Sequence, residues 1–309
     1  MLLQTKYNST RVECVHQHPT GFFMSSDGST LKFWEKKRGE PRRLRLSYIR
    51  SICISPKGDY MAVGGDGIHL LKLGTEEVLN TFPECVTQVV FFAEGKYLAA
   101  KTANDELKVW EVSSGKSINP PWTYCSFLCS VGDNLIGNVR IRDNEYAMAF
   151  RKTREGWEKD YEFLLDTQAT ETAISWKNRV LTFTFRGVFR IRDRGEVTQT
   201  IHTKTRIDRV TCSPSGNYLA GANLTDTHIW DTRTWRYMGC ITQLPFWISC
   251  LTFPDEFSLV TGTDNTLITI WDIRELPMFR ADIVLCTLLR RKPSFLSHPA
   301  VWGRIRCFV

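Results

Sequence analysis

Cys14, His16 and His18 alternate along the chain, and on a strand residues two apart share one face, so three metal-binding side chain types could meet there. The ligand spacings of structural zinc sites are absent, however. The same residues fit a strand over 14–17 followed by a turn at His18, and no metal is expected. The six histidines, at 16, 18, 69, 202, 228 and 298, have no fixed acidic neighbour in sequence. Neither a phosphate-binding glycine loop nor a nucleophile-elbow word occurs. The chain is read as no enzyme, with no catalytic residue and no cofactor. What the sequence offers instead is binding chemistry: Trp230-Asp231-Thr232-Arg233 and Trp271-Asp272-Ile273-Arg274 repeat one word. On a strand, alternation sends Trp and the third residue to one face and Asp with Arg to the other, so each arginine leaves the packed side at the strand end.

The elements that must carry these words are set by a period. Trp34, Trp110, Trp230 and Trp271 each precede an acid, and they stand 76, 120 and 41 residues apart, multiples of a unit of about 40. The missing steps fall on apolar runs at 68–73, 146–150 and 188–191, which makes seven units. Pro19, Pro56, Pro214 and Pro254 precede Trp34, Leu71, Trp230 and Trp271 by 15 to 17 residues. Three of them sit in the words His18-Pro19-Thr20-Gly21, Ser55-Pro56-Lys57-Gly58 and Ser213-Pro214-Ser215-Gly216. Proline presets φ and glycine accepts positive φ, so each word predicts a tight hairpin turn.

At these residues the chain resembles the WD-repeat proteins. Blades six and seven carry the likeness best, from Tyr218-Leu219-Ala220-Gly221 through His228-Ile229-Trp230-Asp231 and from Leu259-Val260-Thr261-Gly262 through Ile270-Trp271-Asp272. Elsewhere Glu35 and Glu111 stand in place of the aspartate, Phe150 in place of a tryptophan, and no Gly-His dipeptide occurs. The resemblance implies an all-β, seven-bladed WD-repeat β-propeller over residues 1–277, with a short C-terminal extension over 278–309. Strand edges must be closed in such a fold, and no fourth strand follows Trp271-Asp272, so residues 1–7 are expected to be the outer strand of blade seven. The extension reads as a short helix over 283–289, stopped by Pro293, then an alternating apolar and basic run over 301–309. It either caps the propeller or docks a partner.

The resemblance also implies a functional class, a non-catalytic scaffold or adaptor binding other proteins in a multi-protein complex. In that fold the turns between second and third strands, holding Asp27, Asp66, Asp105, Asp226 and Asp264, lie on one face. Each aspartate is expected to bond its own turn backbone. The turns after the tryptophan strand, holding Lys36, Lys37, Arg38, Arg151, Lys152, Arg154, Arg192, Arg194, Arg233, Arg236 and Arg274, lie on the other. The candidate partner-binding residues are Trp230, Asp231, Arg233, Trp271, Asp272, Arg274 and the turn Lys36, Lys37 and Arg38, with Trp122, Phe246 and Trp247 as weaker loop contacts. The Trp-Asp-x-Arg word resembles the motif by which some WD-repeat proteins dock on the damaged-DNA-binding adaptor of cullin-RING ubiquitin ligases, so a substrate receptor of such a ligase is the alternative reading. RNA association, through basic residues interleaved with aromatics at 34–38 or 302–306, is a further one. Phe185-Arg186-Gly187 resembles the phosphoinositide-binding word of some propellers with one arginine fewer, and no lipid is expected.

Composition sets the frame. Of 309 residues, 42% are hydrophobic and 24% charged, as in an ordinary globular protein. The net charge of +7 favours an acidic partner surface. Ten cysteines without disulfide spacing are expected to be reduced. The N-terminus lacks the pattern of a signal peptide and no stretch is long enough to span a bilayer, so an intracellular protein, cytoplasmic or nuclear, is expected.

Overall fold

A computed structural model describes residues 2–7, 11–17, 23–35, 40–46, 48–120, 122–166, 171–203, 205–242 and 246–276. The turn word at 18–21, the basic turn Lys36, Lys37 and Arg38, and the extension over 278–309 lie outside the described residues. The described strands form seven four-stranded sheets. Blade one is Cys14–Gln17, Phe23–Ser26, Thr30–Trp34 and Arg42–Arg45, and blade two is Ile49–Ile54, Tyr60–Gly65, Ile68–Lys72 and Val78–Phe82. Blade three is Val86–Phe92, Tyr97–Thr102, Leu107–Glu111 and Ser117–Ile118, and blade four is Leu128–Val131, Asn134–Ile141, Asn144–Lys152 and Trp157–Leu164. Blade five is Glu171–Trp176, Arg179–Thr184, Val188–Asp193 and Glu196–His202, and blade six is Arg209–Cys212, Tyr218–Ala222, Asp226–Asp231 and Arg236–Thr242. Blade seven is Ile248–Thr252, Ser258–Thr263 and Leu267–Asp272, with Leu2–Tyr7 as its fourth strand. The described residues divide into two compact units: those within 1–27, 32–43 and 206–276 form one, those within 28–31 and 44–205 the other.

The unit of blades two to five is built on one register. Met61 faces Leu71, Leu98 faces Trp110 and Leu135 faces Phe150 across the second and third strands, and all six are buried or nearly so. In blades two, four and five the ladder to the fourth strand slips by one residue at the same place, between Leu70 and Leu71, Ala149 and Phe150, and Ile191 and Arg192. In blade six the same slip falls between Ile229 and Trp230, so in these four blades the bulge marks the tryptophan position. In blade five the position is held by Arg192, and this corrects its expected place among the exposed basic turn residues. Arg192 is buried, stacks on the Phe163 ring at 4.3 Å, and donates from Nη1 to the Gly195 carbonyl at 3.2 Å. A planar guanidinium can fill an aromatic slot because its faces stack while its edge supplies donors.

Blades six and seven, in the other unit, keep the register with Leu219 opposite Trp230 and Leu259 opposite Trp271. Trp271 Nε1 donates to Thr261 Oγ1 at 3.0 Å, and Trp34 Nε1 to Ser25 Oγ at 2.8 Å, so a strand hydroxyl satisfies both of these buried indoles. The serine turn words fold alike in both units. In one, Gly58 has φ 74°, its amide donates to Ser55 O at 2.8 Å, and Ser55 Oγ accepts from the Tyr60 amide at 3.0 Å. In the other, Gly216 has φ 70°, its amide donates to Ser213 O at 2.7 Å, and Ser213 Oγ accepts from the Tyr218 amide at 3.1 Å.

Three of the five turn aspartates make contacts other than the expected bond to their own turn backbone. Asp27 forms a buried ion pair with Lys32 at 2.5 Å, Asp105 pairs with Lys101 at 2.7 Å, and Asp264 accepts from the Trp247 amide of the preceding loop at 3.1 Å. The eight described cysteines are free thiols. Burial pushes Cys14, Cys125 and Cys129 up to about 12 and Cys53 and Cys250 up to about 11, which leaves them unreactive. Among the described residues no helix is long and apolar enough to cross a membrane, and no group of three or more His, Cys, Asp or Glu side chains is placed to hold a metal ion.

Candidate functional site

The two Trp-Asp-x-Arg words end the third strands of blades six and seven with the same local geometry. Trp230 and Trp271 are buried, as alternation demands. Each arginine then folds back on the aspartate of its own word. Arg233 donates from Nε to Asp231 Oδ1 at 2.9 Å and from Nη2 to Asp231 Oδ2 at 2.6 Å, and its amide also donates to Oδ1 at 2.9 Å. Arg274 donates from Nε to Asp272 Oδ1 at 2.9 Å and from Nη2 to Oδ2 at 2.5 Å, again with its own amide on Oδ1 at 3.0 Å. Two parallel charge-assisted bonds fix the guanidinium plane. These bonds hold the Asp272 carboxyl below its ordinary range and raise both arginines.

Aromatic rings join the two words into one strip. The Arg233 guanidinium lies over the Tyr218 ring at 5.7 Å. Tyr218 meets Phe257 with ring centroids 5.9 Å apart, and Arg274 lies over Phe257 at 5.2 Å. The arginine side chains remain 55% and 59% exposed, and Phe257 is 36% exposed. Glu256 ties the blades beneath them, accepting from Ser213 Oγ at 3.0 Å, from the Ser215 amide at 3.1 Å and from Ser215 Oγ at 2.5 Å. Asp255 accepts from the amides of Phe257 and Ser258 at 3.1 and 2.8 Å, which fixes the turn that presents Phe257.

Tyr218, Phe257 and Glu256 were not among the candidate contact residues, although Tyr218 opens the strand of the blade-six likeness. Only the strand pairing signals Tyr218, which lies opposite Asp231. Of the other candidates, Lys36, Lys37 and Arg38 lie outside the described residues. Trp122 is not a surface contact: it is 8% exposed, packs on Phe150 at 4.9 Å, and sits so close to Gly137 that a Cβ there would be 2.8 Å from Cζ2. Trp247 is 57% exposed and Phe246 half-buried, both apart in sequence from the arginine strip. Trp247 is held by its amide bond to Asp264 and by its carbonyl, which accepts from the Asp264 amide at 2.8 Å. In the Phe185-Arg186-Gly187 word, Gly187 serves the turn. Its φ is 77°, and a Cβ would lie 2.1 Å from the Thr205 carbonyl.

No family model matches the chain. Over 105 residues, 31% of this chain and 33% of the relative, it is 28% identical to the target of rapamycin complex subunit wat1 of Schizosaccharomyces pombe. The matched stretch thus spans about a third of that protein's length. The β-propeller domain of Cps50 (Swd1) from Myceliophteria thermophila superposes with a TM-score of 0.71 at 16% identity, covering 88% of this chain and 99% of that one. With seven four-stranded sheets, two of them ending the third strand in Trp-Asp, the fold is a seven-bladed β-propeller.

Proposed function

We propose that this chain is a non-catalytic scaffold or adaptor that holds other proteins in a multi-protein complex. The observation that carries this reading is the strip of Arg233, Tyr218, Phe257 and Arg274, in which two blades merge their words into one surface with both guanidiniums more than half exposed. Arginine and aromatic residues are the types enriched at the centres of protein interfaces. The strip stands on hydrogen-bonded turns that fix it before any partner arrives, and such preorganisation favours binding. The relative described as a subunit of a target of rapamycin complex supports membership of an assembly. The free thiols of the eight described cysteines, four of them buried, support a reducing, intracellular site of action.

Within this reading a cullin-RING ligase adaptor is the partner with a motif to offer, and the identical geometry of the two words supports it. The RNA reading has less behind it, because the aromatic residue of its run at 34–38, Trp34, is buried and bonded to Ser25 and is not open to stack a base. Affinity capture with the parent chain and with the double variant Arg233→Ala/Arg274→Ala tests the proposal. The variant should lose its captured proteins while its melting temperature stays within about 2 °C of the parent. A ligase adaptor among the lost proteins selects the receptor reading, and equal capture by parent and variant removes the strip from consideration.

A further inference from the structure

We infer that the strip recognises a neutral, carbonyl-bearing protein surface, the C-terminal turn of a partner helix, and takes neither phosphate nor carboxylate nor nucleic acid. This rests on the scaffold reading of the same strip. A net charge of +7 and two exposed arginines invite the opposite expectation, but the local charges cancel it. Each guanidinium is matched by the carboxylate of its own word through two hydrogen bonds. Asp255, Glu256 and Glu275 lie in the same turns, and Glu256 is bonded into the strip through Ser213 and Ser215. With Arg236 included, five acids stand against three arginines in these turns. An anion approaching the guanidiniums therefore meets fixed carboxylates a few ångströms behind them, where opposite charges largely offset one another.

What remains is a pair of oriented dipoles. Asp231 and Asp272 are mostly covered, with side-chain exposures of 17% and 9%, whereas their arginines face solvent. The positive member of each pair is thus the one open to a partner. The last turn of a helix has the complementary form, with up to four carbonyls lacking intrahelical partners and a partial negative charge spread over them. A guanidinium edge can donate to such carbonyls as basic side chains do at helix C-termini. Phe257, exposed between the two arginines, offers an apolar seat for a side chain of that turn.

The test uses the full chain with whatever protein it captures through Arg233 and Arg274. Retention of that protein is measured from about 0.05 to 0.5 M NaCl, then against inorganic phosphate and a hexaglutamate peptide, and with the variant Arg233→Lys/Arg274→Lys. Retention should change by less than about twofold over this salt range, because no net ionic attraction is screened. Neither anion should displace the partner, and lysine, which lacks the planar fork, should not restore capture. A loss of more than about tenfold with salt, displacement by either anion, or rescue by lysine overturns the inference. If the alanine double variant keeps its partners, the inference falls while the scaffold reading survives on another surface; if the parent captures nothing, both fall.

Discussion

Arg192 shows what a repeat will tolerate at its most specified position. In the tryptophan slot of blade five it keeps the stack, on Phe163, and bonds carbonyls at Gly195 and Leu164. A lysine there would keep the charge and lose the plane and the fork, so Arg192→Lys should lower the unfolding free energy by about 1–3 kcal/mol. Urea unfolding reads this directly, and a variant as stable as the parent would mean that the charge alone matters. Gly137 makes the complementary point about volume. A methyl group at 137 meets the Trp122 indole at 2.8 Å, and that indole is itself packed on Phe150. Gly137→Ala should cost about 1–3 kcal/mol by overpacking, whereas the same change at Gly74, with nothing within 4 Å but a φ of 97°, should act through backbone strain alone. A denaturation midpoint for Gly137→Ala equal to the parent's would show that Trp122 can move aside.

At the scale of the element, the third strands were legible because their period of about 40 residues recurs through the chain, and the serine turns because proline and glycine fix φ. Arg192 was misread because an arginine after an apolar strand resembles a surface turn until the bulge between Ile191 and Arg192 is aligned with that between Ile229 and Trp230. Trp122 was misread because no period governs a connecting loop, so its sequence does not say whether an aromatic turns inward. The arginine strip was half legible. The words are visible, but Tyr218 and Phe257 reach them only through strand pairing and ring contacts between blades. The fourth strand of blade seven yields a prediction at this scale. Leu2–Tyr7 pairs with Leu267–Asp272, with Leu2 opposite Trp271 and Tyr7 opposite Leu267. Deleting residues 1–7 strips the ladder from the strand that carries Trp271 and Asp272 and leaves an open edge. The truncated chain should melt lower and aggregate in a concentration-dependent way, as light scattering would record; melting and scattering like the parent's would show that this pairing contributes nothing to closure.

For the whole molecule, two properties differ from what single residues suggest. Residues 277–309 hold six Lys and Arg against one Asp, a net +5, so residues 1–276 carry only +2 of the total +7, and the charge excess is a property of the extension more than of the blades. The second property is the response to acid. His16, His69 and His228, in blades one, two and six, all titrate below the ordinary 6.5, because burial disfavours the charged ring. His228 is the clearest case. Its Nδ1 lies 3.1 Å from the Tyr237 hydroxyl, its ring stands near Trp230 at 6.1 Å, and its buried Nε2 has no hydrogen-bond partner among the described residues. The Asp226 carboxylate opposes the shift. In the unfolded chain each ring takes up its proton near 6.5. The folded chain resists until a lower pH, so the unfolded state binds more protons in between and stability declines as pH falls. Stability should thus be level above about pH 7, fall as pH drops through 6.5, and level again once the folded rings protonate, by at most about 1.4 kcal/mol per pH unit for each proton involved. The loss from Asp272, whose carboxyl is lowered, comes as pH falls through its ordinary 3.8. Urea midpoints at pH 7.5 and 5.0 should differ in the parent, and His228→Gln, which can still bond Tyr237 but cannot titrate, should shrink the difference. Equal midpoints in the parent, or an undiminished difference in the variant, would show that the rings gain their protons in the fold without hindrance.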